Sequence, residues 1–237
     1  MIDLHRGARP LVIGHRGAAA LAPENSLESV EAAVRAGVDG VELDVLRTRD
    51  GRLVLAHGPG VPPDAPTLAE ALALVAELGV FVQLDLKHGG FEAGVVAALH
   101  EAGLFERAFV STFSLPSLAA FAALAPDLPR SLTYPEDRFG VSQSFAVRPF
   151  VGTGLALMRR ALHRRLPRWL LATGAGGATL HWRVVTPQVI EVCRGLGVAV
   201  LTWTVNDAEV AKTLVSAGVD AIISDDPRIV PGGMKNT

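Results

Sequence analysis

Residues 40–57 read GVELDVLRTRDGRLVLAH. In the first part of this stretch apolar residues alternate with Glu42 and Asp44, a pattern typical of a strand. The pair Asp50-Gly51 lies between two extended runs, which is a strong signal for a hairpin. We therefore predict that the chain turns at this pair and folds back, so that His57 returns close to Asp44.

Outward from this hairpin, short apolar runs alternate with longer segments of helical period, as expected of strand–helix units around a parallel sheet. Eight core strands are predicted at residues 10–14, 40–45, 80–87, 108–113, 130–134, 178–182, 199–205 and 221–224. Helices are clearest at residues 26–36, 68–78, 91–102, 187–197 and 208–217. The chain is expected to form one (β/α)8 TIM barrel domain over residues 1–237, with the hairpin extending strand two.

Capping signals mark the ends of these helices. Asn25 followed by Glu28 is expected to cap the first helix, because a short polar residue with Glu three positions later is a common N-cap pattern. Glycines, which often terminate helices, stand where five helices should end: Gly37, Gly79, Gly103, Gly197 and Gly218. This punctuation supports the strand–helix spacing.

Composition narrows the class of protein. The chain has 237 residues, 49% of them hydrophobic, and a net charge of −2, which argues against nucleic-acid binding because that task needs a cationic excess. No signal peptide is recognisable, and no uncharged apolar run reaches about 18 residues. Cys193 is the only cysteine, so we expect a buried helical thiol, no intrachain disulfide and a cytoplasmic protein.

Polar residues gather where the predicted strands end, which is where TIM barrels carry their catalytic groups. The first strand leads into His15 and Arg16, and residues two apart on a strand share a face. The other members of the set are Glu42, Asp44, His57, Asp85 and Lys87. We expect all seven side chains to meet at the mouth of the barrel.

Three carboxylates at one mouth would repel one another unless a cation neutralised them. We therefore predict a divalent metal ion held by Glu42, Asp44 and Asp85. Ligands that are all oxygens favour Mg²⁺, Ca²⁺ or Mn²⁺ over zinc. The alternative for Asp85 is an internal ion pair with Lys87.

The remaining groups suit a small phosphodiester substrate. Arg16 and Lys87 would hold an anionic phosphate, while His15 and His57 would transfer protons as general acid and general base. Which histidine plays which part stays open, as does the nucleophile, which is either water or a neighbouring hydroxyl of the substrate. A buried, purely structural histidine is the alternative for His15.

Six motifs together resemble those of the glycerophosphodiester phosphodiesterase family, and the likeness spans nearly the whole chain. They are HRGAAALAPENS, GVELDVLRTRDGRLVLAH, LDLK, VSTF, TWTVND and GVDAIISDDP. The resemblance implies a TIM barrel that hydrolyses glycerophosphodiesters to glycerol 3-phosphate and an alcohol. It also implies that the metal ligands, the proton-transferring histidines and the phosphate-binding residues are those proposed above.

The resemblance also adds four residues to the expected site. Glu24 and Asn25 fall on the PEN motif, either in a loop and cap or in direct support of the site. Phe113 and Trp203 match the family's aromatic positions and would line the alcohol end of the substrate; for Trp203, a place in the core is the alternative.

Three departures from the family pattern concern metal affinity and substrate choice. Asp85 stands where the family usually has Glu, which shortens the reach to the metal by one methylene. Gly58 follows His57 where an Asp is usual, which removes a nearby carboxylate. The stretch from His57 to Thr67 is short, so the small cap over the mouth is expected to be reduced or absent.

Other functions stay open beside this leading hypothesis. A lysophospholipase D or related enzyme could use the five arginines between Arg159 and Arg168 to contact an anionic membrane, although a solvated helix face is the simpler explanation of that run. A barrel that binds phosphate compounds without turnover is a third reading. The sequence leaves the alcohol, the preferred metal and the oligomeric state undetermined.

Overall fold

Eight parallel strands close into a barrel in the computed structural model of this chain, and one short antiparallel strand extends it. The structure describes residues 1–58, 60–136 and 148–231, with the backbone alone for 148–157. The strands are β1 (Leu11–Gly14), β2 (Gly40–Arg47), β3 (Leu53–Leu55), β4 (Phe81–Leu86), β5 (Ala108–Thr112), β6 (Arg130–Tyr134), β7 (Gly177–His181), β8 (Ala199–Trp203) and β9 (Ala221–Ser224). The α-helices are α1 (Leu27–Arg35), α2 (Leu68–Leu78), α3 (Glu92–Glu101), α4 (Leu115–Leu124), α5 (Arg148–Thr173), α6 (Pro187–Gly195) and α7 (Ala208–Ala217).

The sheet order is that of a TIM barrel. Neighbours run β1-β9-β8-β7-β6-β5-β4-β2, and β1 pairs with β2 to close the ring. All eight predicted core strands are confirmed, each with its ends within two residues of the expected positions. The predicted (β/α)8 fold is therefore correct, and the carboxyl ends of the strands form a single mouth.

The hairpin after β2 is also confirmed. Strands β2 and β3 pair antiparallel with Val45 opposite Leu55, and Gly51 in the turn has a φ of +91° that suits glycine. The Ala56 amide donates to the Asp44 carbonyl at 3.2 Å, which brings the next residue, His57, to the side of Asp44. The described part of the connection to α2 holds no helix, in agreement with a reduced cap over the mouth.

The cap of α1 corrects one prediction. Ser26, not Asn25, is the N-cap: its side chain accepts from the Ser29 amide, and the Ser29 side chain accepts from the Ser26 amide in a capping box. Asn25 lies one residue earlier in a left-handed conformation with a φ of +56°. The expected pairing of Asn25 with Glu28 was wrong because the helix begins one residue later than that pairing requires.

Helix α5 lies in the stretch that the sequence left irregular. It has 26 residues, against 9 to 11 for the other α-helices in the described parts of the chain. Leu162, Leu166 and Leu170 are buried at intervals of four residues, while the arginines from Arg159 to Arg168 are exposed. The predicted helix face over the barrel wall is thus confirmed.

The barrel interior changes from apolar to polar on the way to the mouth. Near its closed end Leu4, Phe81 and Phe109 pack in one cluster with Ile13 and Leu201. Higher up, a polar layer consists of Gln83, Ser111, Ser131 and Thr179, all of them buried. The larger apolar core lies between the strands and the surrounding helices and includes Cys193, confirmed as a buried helical thiol.

Candidate active site

Three carboxylates meet at the mouth of the barrel. Asp44 on β2 is in register with Asp85 on β4, and Glu42 lies two residues earlier on β2, so all three point inward. One ligand oxygen from each lies within 4.8 Å of the other two, and all three residues are buried. Of the residues that the structure describes, these form a group that can hold a metal ion.

The turn after β1 brings a fourth residue against this trio. A Cβ at Gly14 would lie 2.0 Å from the Gly17 carbonyl oxygen, so the tight turn requires a glycine there. Arg16, inside the turn, has a φ of +51°, which is uncommon for a residue with a side chain. In this conformation its backbone N–H donates to Glu42 Oε2 at 2.9 Å.

Two cations lie among the carboxylates. Arg16 places Nε 3.1 Å from Asp44 Oδ2, and its Nη1 pairs with Glu24 Oε2 at 2.5 Å. Lys87 Nζ lies 2.6 Å from both Asp44 Oδ1 and Asp85 Oδ2. The predicted ion pair between Asp85 and Lys87 is therefore present, but it includes Asp44 as well.

The charges of this cluster are unevenly shared. Burial and then the charge of Asp44 raise the pKa of Glu42 well above its ordinary value. Burial also works to raise the pKa of Asp44, but Lys87, His57 and Arg16 outweigh it and hold that pKa well below its ordinary value. Two cations do not offset three buried carboxylates, so the charged form of Glu42 is disfavoured in the absence of a third cation; a hard divalent cation would stabilise that charge and fits this set of buried oxygens.

His15 is held by a carboxylate that the sequence analysis did not select. Its Nδ1 lies 2.6 Å from Asp225 Oδ1, and Asn206 Nδ2 donates to the other oxygen of Asp225 at 2.5 Å. Burial works to raise the pKa of Asp225, but the hydrogen bond from His15 and then that from Asn206 leave it lowered. Since a carboxylate accepts, Nδ1 carries the proton, and Nε2 lies 4.0 Å from Glu42 Oε2.

His57 has the same arrangement with a different carboxylate. Its Nδ1 lies 2.9 Å from Asp44 Oδ2, and the side chain is 24% exposed. Asp44 thus provides a carboxylate to His57 although Gly58 replaces the usual Asp. Both histidines leave Nε2 as the nitrogen that can exchange a proton with a substrate.

Glu24 and Asn25 both contact residues of the candidate site. The Asn25 side chain donates to Asp44 Oδ2 at 3.1 Å and accepts from the Asp44 amide at 3.0 Å. Glu24 is exposed and pairs with Arg16. Of the two readings of the PEN motif, these contacts favour direct support.

Aromatic and imidazole rings lie on the strands across the barrel from β2. Trp203 at the end of β8 donates Nε1–H to the Thr179 carbonyl at 3.1 Å and meets His181 of β7 edge to face at 5.4 Å. It packs at the margin of the interior cluster, so it belongs partly to the core. Phe113 is half-buried directly after β5.

Sequence reasoning missed several residues of the mouth. Asp225 follows β9 as His15 follows β1, so the rule that selected His15 could also have selected Asp225. Asn206 and Ser111 lie within quoted motifs, but only the folded barrel shows that they reach Asp225 and Asp85. His181 had no signal beyond its place at a strand end.

Comparison with known proteins assigns the chain to the family that its sequence motifs resemble. The model of the glycerophosphoryl diester phosphodiesterase family matches residues 15–62 and 66–229. A glycerophosphodiester phosphodiesterase from Caldanaerobacter subterraneus subsp. tengcongensis is 29% identical, over 92% of this chain and 95% of that protein.

Solved structures share the fold. A glycerophosphodiester phosphodiesterase from Parabacteroides distasonis has a TM-score of 0.74 at 23% identity and covers 92% of this chain and 94% of its own. A phosphodiesterase from Oleispira antarctica, in complex with the product sn-glycerol-3-phosphate, has a TM-score of 0.73 at 24% identity, with coverages of 95% and 96%. Because the family model matches most of its length, this chain belongs to the glycerophosphoryl diester phosphodiesterase family.

Proposed function

We propose that this protein is a single-domain phosphoric diester hydrolase that converts glycerophosphodiesters to glycerol 3-phosphate and an alcohol with the help of a divalent metal ion. The observation that carries the proposal is the meeting of three buried carboxylates, two cations and two carboxylate-bound histidines at one mouth. The relative in complex with sn-glycerol-3-phosphate has the same fold. A cytoplasmic location stays a prediction.

The proposed metal site consists of Glu42, Asp44 and Asp85. A divalent ion bound there would act as a Lewis acid and stabilise the charge that develops on the phosphoryl oxygens. Arg16 would orient the phosphate through the guanidinium edge that its carboxylate partners leave available, and Lys87, which lies between Asp44 and Asp85, would attract the phosphate with its positive charge. Mg²⁺, Ca²⁺ and Mn²⁺ all suit an oxygen-only set.

His15 and His57 would divide the proton transfers. Each can donate a hydrogen bond from Nδ1–H to a carboxylate, so Nε2 of one neutral ring can take a proton from the nucleophile, while the other ring, in its imidazolium form, gives its Nε2 proton to the leaving alkoxide. Trp203 and Phe113 would contact the alcohol. Trapping of a cyclic phosphate product would distinguish attack by a substrate hydroxyl from attack by water.

A direct assay tests this proposal. Release of glycerol 3-phosphate from glycerophosphocholine and related diesters would be followed with Mg²⁺, Ca²⁺, Mn²⁺ or a chelator. We expect turnover with at least one ion and loss of turnover with the chelator. His15→Ala and His57→Ala should lose turnover yet bind metal, whereas a barrel that binds without catalysis would show no wild-type turnover with any diester.

A second candidate is a lysophospholipase D-like activity at a membrane surface. It is favoured by the exposed arginines of α5, two of which, Arg159 and Arg160, line a cavity of about 520 Å³ with His163 and the first turn of α6. Anionic headgroups are attracted to such clusters. No helix in the described ranges is long and apolar enough to cross a membrane.

Vesicle binding separates the two candidates. The protein would be sedimented with vesicles containing phosphatidylglycerol or only phosphatidylcholine, and the double variant Arg159→Gln/Arg160→Gln would be compared with Arg194→Gln at the far end of α6. The membrane candidate requires binding to the anionic vesicles that only the double variant loses, and faster hydrolysis of lysolipids than of soluble diesters. Equal behaviour of all three proteins rejects it.

A further inference from the structure

A chain of polar side chains runs through the barrel interior beneath the carboxylates. Gln83 and Ser111 are 1% and 0% exposed. Gln83 Nε2 donates to Ser111 Oγ at 2.9 Å, and the Ser111 hydroxyl in turn donates to Asp85 Oδ1 at 2.6 Å. Both donors point toward Asp85, so the chain presents the positive ends of its dipoles to that carboxylate.

Two further donors complete the surroundings of Asp85. The Thr133 hydroxyl of β6 donates to the same Oδ1 at 2.9 Å, while Lys87 Nζ lies 2.6 Å from Oδ2. Groups from β5, β6 and the end of β4 therefore fix the carboxylate. An aspartate held in this way has little freedom to rotate, because each rotation would break at least one charge-assisted hydrogen bond.

Gln83 is an energetically unfavourable residue for the interior of a barrel. Its Oε1 is buried and has no hydrogen-bond partner among the residues that the structure describes. An unpaired buried amide oxygen is unfavourable, and an apolar side chain of similar size avoids that cost. A local violation of this kind is expected where a residue serves function rather than stability.

We propose that Gln83, Ser111 and Thr133 are positioning residues that hold Asp85 as the third ligand of the divalent cation, an inference that rests on the metal site proposed above. Asp85 is one methylene shorter than the glutamate expected from the family pattern. Hydroxyl groups from β5 and β6 bond to this shorter side chain, one oxygen of which lies within 4.8 Å of one oxygen each of Glu42 and Asp44. Ser111 is the central member because it contacts both Gln83 and Asp85.

Metal affinity, measured without substrate, tests the proposal. Mn²⁺ would be titrated calorimetrically into wild type, Ser111→Ala, Gln83→Met and the matched control Ser131→Ala, with the melting temperature of each protein recorded. Ser131 lies in the same buried layer, but its hydroxyl bonds to Thr179 Oγ1 at 2.7 Å. Ser111→Ala is expected to weaken Mn²⁺ binding by about 10- to 100-fold, the usual range for residues that orient a metal ligand.

The two interior variants distinguish positioning from a purely structural role. Gln83→Met should weaken Mn²⁺ binding at an unchanged or higher melting temperature, and Ser131→Ala should keep wild-type affinity. The inference is overturned if Ser111→Ala binds Mn²⁺ as tightly as Ser131→Ala, or if Gln83→Met lowers only the melting temperature. A wild type that hydrolyses diesters without binding any divalent ion would instead overturn the metal site itself, and this inference with it.

Discussion

His15 and His57 both present Nε2 to the mouth, because Nδ1 of each ring is hydrogen-bonded to a carboxylate. These two carboxylates, Asp44 and Asp225, differ in their other contacts. Asp44 also contacts Lys87, Arg16 and Asn25, whereas Asp225 contacts His15 and Asn206 and is not part of the metal-binding group. Asp225 can therefore be changed without touching the trio, which makes it the cleaner probe of histidine orientation.

Asp225→Asn is expected to lower kcat by about 10²- to 10⁴-fold, since loss of the charge releases His15 from its tautomer and orientation. KM and Mn²⁺ affinity should change little. Steady-state kinetics and calorimetry would check both. The control is Asp226→Asn, because Asp226 pairs with Arg228 instead; an Asp225 variant as active as that control would exclude the orienting role.

Individual site residues could be predicted from the sequence where they lie on strands. Glu42, Asp44 and Asp85 could be selected because a carboxylate on a buried strand has few structural explanations. Asp225 could not be paired with His15 in advance, since the two are 210 residues apart and only closure of the barrel brings them together. Asn25 was taken for a cap because adjacent short polar residues compete for that position.

Among the elements, helix α1 shows how a one-residue difference changes a role. Ser26 caps the helix, which leaves Asn25 available to bind Asp44. Ser26→Ala is expected to lower the free energy of unfolding by about 1 kcal/mol, measured by urea denaturation. Glu28 is exposed on the first turn, and a larger loss from Glu28→Ala than from Ser26→Ala would contradict the assigned cap.

Helices α3 and α4 are joined by a carboxylate whose contribution depends on pH. Glu92 accepts from the Gly90 amide at 2.9 Å and from the Ser117 hydroxyl. Burial works to raise the pKa of Glu92, but these hydrogen bonds, that from Ser117 first, leave it lowered. A lowered pKa stabilises the fold above the unfolded value of about 4.3, and this contribution is lost as the pH falls through the folded pKa.

Glu92→Gln should therefore lower the free energy of unfolding by roughly 1 to 2 kcal/mol at pH 7. The difference from wild type should shrink at pH values below about 4. Urea unfolding at several pH values would measure it, with the exposed Glu101 changed to Gln as the control. A difference that stays constant down to pH 3 would mean that the carboxylate charge is not what stabilises these helices.

For the whole molecule, the barrel was predictable because each strand–helix unit repeats the same change of hydrophobic period. Two features were not. The length of α5 was hidden by Pro167 and by a run of arginines that obscures its apolar stripe. Leu4 packs into the closed end of the barrel. It belongs to a segment outside the repeating units, so the hydrophobic pattern of those units did not predict this contact.

The charge of the whole molecule is nearly balanced, with a net value of −2, while local charges are segregated. Negative groups converge inside the mouth, and the arginines of α5 lie on the outer wall. A divalent cation and a phosphodiester are together the ligands that this distribution suits. We therefore propose that one divalent metal ion binds between Glu42, Asp44 and Asp85.

This site can be located by anomalous diffraction from crystals of the active protein soaked in Mn²⁺ and glycerol 3-phosphate. We expect one strong anomalous peak bounded by oxygens of Glu42, Asp44 and Asp85, with phosphate density beside Arg16. Mn²⁺ bound elsewhere, with no peak among these three carboxylates in crystals of protein that hydrolyses diesters, would contradict it.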